Sequence, residues 1–75
     1  MTRMRKKKHF VVCLSNDGYP ASLETRKIYV ALRDAAAERR GLLRIIDESG
    51  EDYLYPRERF APLKLPRDVE QALAG

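Results

Sequence analysis

Hydrophobic and polar positions alternate along most of this chain at a period of two. Residues 9–15 open the pattern, with Phe10, Val12 and Leu14 on one face and Val11 and Cys13 on the other. Apolar on both sides, the segment predicts a strand well inside a sheet. Asn16, Asp17, Gly18 and Pro20 then crowd turn formers around Tyr19, and a loop runs on to about Leu23. In 27–33, Ile28, Val30 and Leu32 alternate with Tyr29, Ala31 and Arg33, which predicts a second strand. The same stretch has a competing period: Ile28, Ala31, Leu32 and Ala35 fit helical spacing, with Ser22 as a cap. The alternative is therefore an α+β protein with a helix over about 22–40. The strand is the better reading, because Thr25, Ile28, Tyr29 and Val30 lose rotamer freedom in a helix.

Asp34 reads as the N-cap of a brief helical turn over 35–40, stopped by Gly41. A hairpin follows, with strands over 42–47 and 51–55 and Ser49-Gly50 at the turn. Pro56 has no N–H for a sheet ladder and ends the second strand. Arg57, Glu58 and Arg59 form a single turn before an extended stretch over 60–65. Pro66 suits the first position of a short helix whose Val69, Ala72 and Leu73 share one face. A helix so short needs a body to dock on. These elements predict an all-β domain: five short, mainly antiparallel strands closed into a small barrel, with a short C-terminal helix.

The span 23–65 resembles the Src-homology-3-like barrels, chiefly through Ser49-Gly50-Glu51-Asp52-Tyr53-Leu54-Tyr55-Pro56-Arg57-Glu58-Arg59-Phe60-Ala61-Pro62. In that family a glycine turn leads into a strand, a proline, a helical turn and the last strand. The resemblance implies a groove for polyproline segments. Of the groove positions only Pro56 keeps the family's residue: the ligand-contacting tryptophan falls at Leu42, and the tyrosines flanking the proline fall at Leu54 and Arg59. The chain also resembles a group of short bacterial proteins that carry an Asp-Glu-Ser-Gly-Glu-Asp-Tyr-Leu-Tyr-Pro stretch. That likeness implies a fold and a bacterial cytosol, and no activity.

Composition narrows the functional classes. At 75 residues the chain is one domain, and a chain of this size buries only ~60% of its unfolded surface. One cysteine forms no internal disulfide and fits a reducing cytoplasm. No apolar run approaches the ~20 residues of a membrane span. The net charge of +4 is uneven. Arg3, Arg5, Lys6, Lys7 and Lys8 carry five positive charges with no acid among them, and the rest is close to neutral. Residues 1–8 therefore read as a disordered basic tail and 9–75 as the domain.

Candidate chemistry is sparse. Asp47, Glu48, Glu51 and Asp52 surround one turn, but their spacing matches no calcium loop, so no metal is assigned. His9, the sole histidine, has no nucleophile beside it, and Cys13 sits in the most apolar strand. No glycine-rich phosphate loop is present. The chain reads as a non-enzyme without a cofactor. Tyr19, Tyr53, Tyr55, Pro56 and Arg59 are the candidate contacts for a protein partner, and alternation places Tyr53 and Tyr55 both inside or both outside. Nucleic-acid binding is the second reading, led by Arg3, Arg5, Lys6, Lys7 and Lys8 and extended by Arg44. Arg57 and Arg59 lengthen the same track. A homodimer that buries an apolar face is the third.

Overall fold

The computed structural model describes residues 7–47 and 49–74. Strands β1 (Lys8–Cys13), β2 (Ile28–Leu32), β3 (Leu42–Ile46), β4 (Asp52–Pro56) and β5 (Phe60–Leu63) form one sheet in the order β4-β3-β2-β1-β5. Every pairing is antiparallel. Helix α1 (Ala35–Arg39) joins β2 to β3, a 3-10 turn (Arg57–Arg59) joins β4 to β5, and α2 (Arg67–Ala74) follows β5. The protein is thus a small all-β domain with a short C-terminal helix.

The alternative helix over 22–40 does not form. Ile28–Leu32 is a strand in which Tyr29 and Ala31 are buried, and helix is confined to Ala35–Arg39. The period of two prevails because it puts Tyr29 and Ala31 beside Val11 and Ile45 across the ladder, an arrangement the helical period cannot satisfy. The first strand begins at Lys8 and stops at Cys13, and Leu14 beyond it is 56% exposed.

One face of the sheet curls around the core: Val11, Cys13, Leu23, Tyr29, Ala31, Leu43, Ile45, Tyr55 and Phe60. The curl is measurable. A flat sheet of five strands would separate its outer strands by roughly 19 Å. Yet Tyr55 on β4 and Phe60 on β5, the two edge strands, have ring centroids 6.2 Å apart. The connection through Pro56 and the 3-10 turn brings those edges together and gives the sheet its barrel-like form.

The opposite face is also apolar. Register places Ile28, Val12 and Ala61 in one row, and Ile46, Val30, Phe10 and Leu63 in the next. Phe10 on that face is buried, although it stands outside the main core. Leu73 of α2 lines one cavity with Ile28, Val30 and Ile46, so the C-terminal helix lies over this face. It covers it incompletely: Ile28, Val69 and Leu73 remain 39%, 38% and 49% exposed.

Turn chemistry sets both ends of the barrel. Asp34 accepts from the Ala37 N–H at 3.2 Å, and the Glu38 carboxylate accepts from the Asp34 N–H at 3.1 Å, a reciprocal cap on α1. Gly41, at φ +76°, takes the left-handed conformation that ends the helix and feeds β3. Gly50, at φ +89°, does the same at the tip of the β3–β4 hairpin. There the Asp47 N–H donates to the Glu51 carbonyl at 2.8 Å.

Candidate interaction surfaces

The tyrosines do not converge on one surface. Tyr55 is 8% exposed and stands in the core, with Tyr19 edge-on at 5.1 Å and Phe60 tilted at 6.2 Å. Tyr53 is 44% exposed, and its hydroxyl donates to the Glu51 carboxylate at 3.2 Å. The expectation that both point inside or both outside fails. Alternation does put them on one face, opposite Leu43 and Ile45. Tyr53, however, lies two residues nearer the hairpin tip, on an edge strand, past the rings that cover Tyr55. Bonding to Glu51 also pushes the Tyr53 hydroxyl pKa upward.

Tyr55 is therefore unavailable as a partner contact, and half-buried Tyr19 serves as its cover. Pro56 and Arg59 are half-buried in the crossing between the edge strands. The Arg59 carbonyl accepts from the Leu14 N–H at 2.7 Å, and its Nε is buried without a hydrogen-bond partner. Of the five candidate contacts, only Tyr53 presents a largely open ring.

Arg44 also departs from its expected role. It donates from Nε to Asp34 at 2.8 Å and from Nη1 to Asp52 at 3.1 Å. The hydrogen bonds to Asp34 and then Asp52 hold the guanidinium more firmly protonated than usual. Two carboxylates already match its charge, so Arg44 is a clamp between α1 and the hairpin rather than a phosphate ligand. Arg3, Arg5 and Lys6 lie outside the described residues, as does Glu48. Lys7 and Lys8 are exposed, and the Lys7 carbonyl accepts from the Arg33 N–H at 2.7 Å.

The acidic hairpin tip is organised by its own serine. Asp47 accepts from the Ser49 N–H at 2.9 Å and from the Ser49 hydroxyl. These bonds, the hydroxyl's above all, hold the Asp47 carboxyl below the usual carboxylate range. Among the described residues no group of three or more histidines, cysteines and acids is placed to hold a metal ion. Cys13 is 1% exposed, and its thiol donates to the Ser15 carbonyl at 3.5 Å. His9 stands opposite Ala31, and burial, aided by Arg33, pushes its pKa down. No described helix is long and apolar enough to cross a membrane.

Two surfaces emerge that the residue pattern did not single out. The first is the cavity of about 250 Å3 between α2 and the outer sheet face. Its floor is Ile28, Val30 and Ile46, one wall is Leu73, and Lys8, Lys27 and Asp47 stand at its rim. Its signal was in the sequence: residues 10–14 and 28–32 are apolar on both faces, more than one core requires. The second is a gathering of arginines at the α1 end, which depends on topology and left no local signal. Compared with protein-family models, with curated proteins and with solved structures, the chain matches none.

Proposed function

We propose that this protein is a small non-catalytic interaction module that binds another protein through the groove between α2 and the outer sheet face. The cavity beneath Leu73 carries this reading. At about 250 Å3 it falls below the ~300–1,000 Å3 of small-molecule sites. It suits one or two anchoring side chains of a protein, the usual form of an interface hot spot. Apolar Ile28, Val30, Ile46 and Leu73 make the pocket, and two lysines, Lys8 and Lys27, stand beside it with one acid, Asp47. Lys27 already bonds Glu24 at 3.2 Å, whereas Lys8 is exposed. The occupant is accordingly a segment with a large apolar side chain and a neighbouring carboxylate. The strand order and the 3-10 turn before the last strand support the Src-homology-3-like reading of the fold. The binding face is then a different one from the polyproline groove, since Leu42, Leu54 and Arg59 replace that groove's aromatics.

Panning a random peptide library against the full chain tests this. Enriched peptides are expected to pair an apolar residue with an acid. Ile28→Lys and Leu73→Lys, both at exposed positions, should each weaken their binding by about tenfold or more. Tyr53→Ala should leave it unchanged. No enriched pattern, or binding indifferent to both lysines, refutes the groove. Sedimentation at low and high concentration separates this reading from self-association: a dimer disrupted by the same two substitutions would make a second copy the occupant.

A further inference from the structure

A separate feature, independent of that groove, lies at the end of the barrel that holds α1. Antiparallel pairing sets Lys8 opposite Leu32 and Leu42 opposite Pro56, so one end carries the start of β1, the end of β2, α1, the start of β3 and the end of β4. The Arg33 N–H bonds the Lys7 carbonyl at 2.7 Å, and the Arg57 N–H bonds the Gly41 carbonyl at 2.8 Å. These bonds seat Lys7 and Arg33 on one side of α1, and Arg57 next to the Arg39-Arg40 pair that ends it. Arg33, Arg39, Arg40 and Arg57 are all exposed. Of the acids here, Glu38 shares its charge with Arg33 at 3.4 Å, Asp34 is held by Arg44, and Glu58, next to Arg57 in the chain, has no ion pair among the described residues. Arg39, Arg40 and Arg57 have no ion pair among the described residues. Asp47 and Glu51 sit at the hairpin tip, and the charge of Asp52, like that of Asp34, is matched by the Arg44 guanidinium.

We propose that this end docks the phosphate backbone of a nucleic acid, with Arg39, Arg40 and Arg57 as its folded contacts. Guanidinium forks pair with phosphate and carboxylate oxygens alike, so the surroundings decide between a nucleic acid and an acidic protein. None of the exposed large apolar residues Leu14, Ile28, Tyr53, Leu54, Val69 and Leu73 belongs to α1, its flanks or the 3-10 turn, whereas the buried core of a protein interface is more apolar than the surface around it. Lys6, Arg5 and Arg3 precede Lys7 in the sequence and add three positive charges. Binding of this kind reads charge and shape rather than base sequence.

Fluorescence polarisation of the full chain with labelled duplex DNA and single-stranded RNA tests it. Wild-type affinity should fall steeply between about 50 and 200 mM salt. In the triple variant Arg39→Gln, Arg40→Gln, Arg57→Gln the log–log salt slope should flatten by roughly 2–3, since each lost contact is worth about 0.9 on duplex and about 0.7 on single strands. Over the same salt range that shrinks the fall in affinity by about 40-fold on duplex. The matching triple variant to lysine should restore most of the slope. Deleting residues 1–6 should weaken binding without abolishing it. Three results overturn the proposal: no wild-type binding at low salt, an unchanged slope in a folded glutamine variant, or equal competition by polyglutamate of matched charge, which would assign the end to an acidic protein.

Discussion

Replacing Tyr55 by alanine tests the core most directly, because the neighbouring Tyr53 supplies an internal control. Tyr55 is 8% exposed and packs against Tyr19 and Phe60 from two sides. Truncating a buried aromatic ring to alanine costs about 3–5 kcal/mol through lost transfer energy and the cavity left behind. A chain of 75 residues has a total stability of roughly 4–11 kcal/mol. The variant therefore loses a large share of its stability. In a domain of this size the midpoint of thermal unfolding should drop by roughly 12–40 °C. Tyr53→Ala removes a ring that is 44% exposed and whose hydroxyl bonds exposed Glu51, so its cost should stay within about 0.5 kcal/mol. Tyr55→Phe separates ring from hydroxyl. The Tyr55 hydroxyl makes no hydrogen bond among the described residues, so this change should be nearly silent. By contrast, Tyr29→Phe removes the acceptor of the Glu24 N–H at 2.8 Å and should cost about 1 kcal/mol. Urea and thermal unfolding followed by circular dichroism measure all four. Equal losses at Tyr53 and Tyr55, or a loss below about 1 kcal/mol for Tyr55→Ala, would refute the assignment of Tyr55 to the core.

Asp34→Ala removes the cap of α1 and should cost about 0.5–2 kcal/mol in urea unfolding. Asp34→Asn, which still caps, should retain that part while losing the charge that faces Arg44. His9 has a folded pKa below its ordinary value because of burial and then Arg33. Protonation therefore favours the unfolded chain, and stability should fall as pH drops through and below about 6.5. His9→Gln should remove that component when unfolding is compared at about pH 7 and about pH 5. Arg26 has φ 73°, a conformation that costs a side chain about 1–2 kcal/mol. Arg26→Gly relieves it against about 0.4–1 kcal/mol of added unfolded-state freedom, and should raise the melting temperature slightly rather than lower it.

The elements were readable wherever one local rule governed them. Alternation identified β1 through β5, the Asp34 cap and Gly41 framed α1, and Ser49-Gly50 turned the hairpin. Alternation reports a side chain's face and not its depth, which is why Tyr53 and Tyr55 could not be separated. Depth depended on Tyr19, a loop residue that folds back over Tyr55, and on Leu23, which is 2% exposed despite its place in that loop. The fate of Arg44 was hidden for a related reason. Asp52 sits across the hairpin from it, but Asp34 reaches it only because α1 packs on β3. The arginines at the α1 end are likewise brought together by hydrogen bonds between Arg33 and Lys7 and between Arg57 and Gly41, contacts made across long stretches of chain.

The placement of β1 between β2 and β5 bears on how the protein is made. Synthesis proceeds from the amino end, so β1 is produced early and its partner β5, Phe60–Leu63, some fifty residues later by the register Phe10↔Leu63. Until then one edge of β1 has unpaired backbone groups beside Phe10, Val11 and Val12, a strand edge open to other chains. The β3–β4 hairpin can form locally, but the ring of side chains around Tyr55 cannot close without Phe60. Closure of the core consequently waits for the last strand. Any interruption of synthesis before Phe60 leaves an apolar, unsealed β1 rather than a smaller working domain.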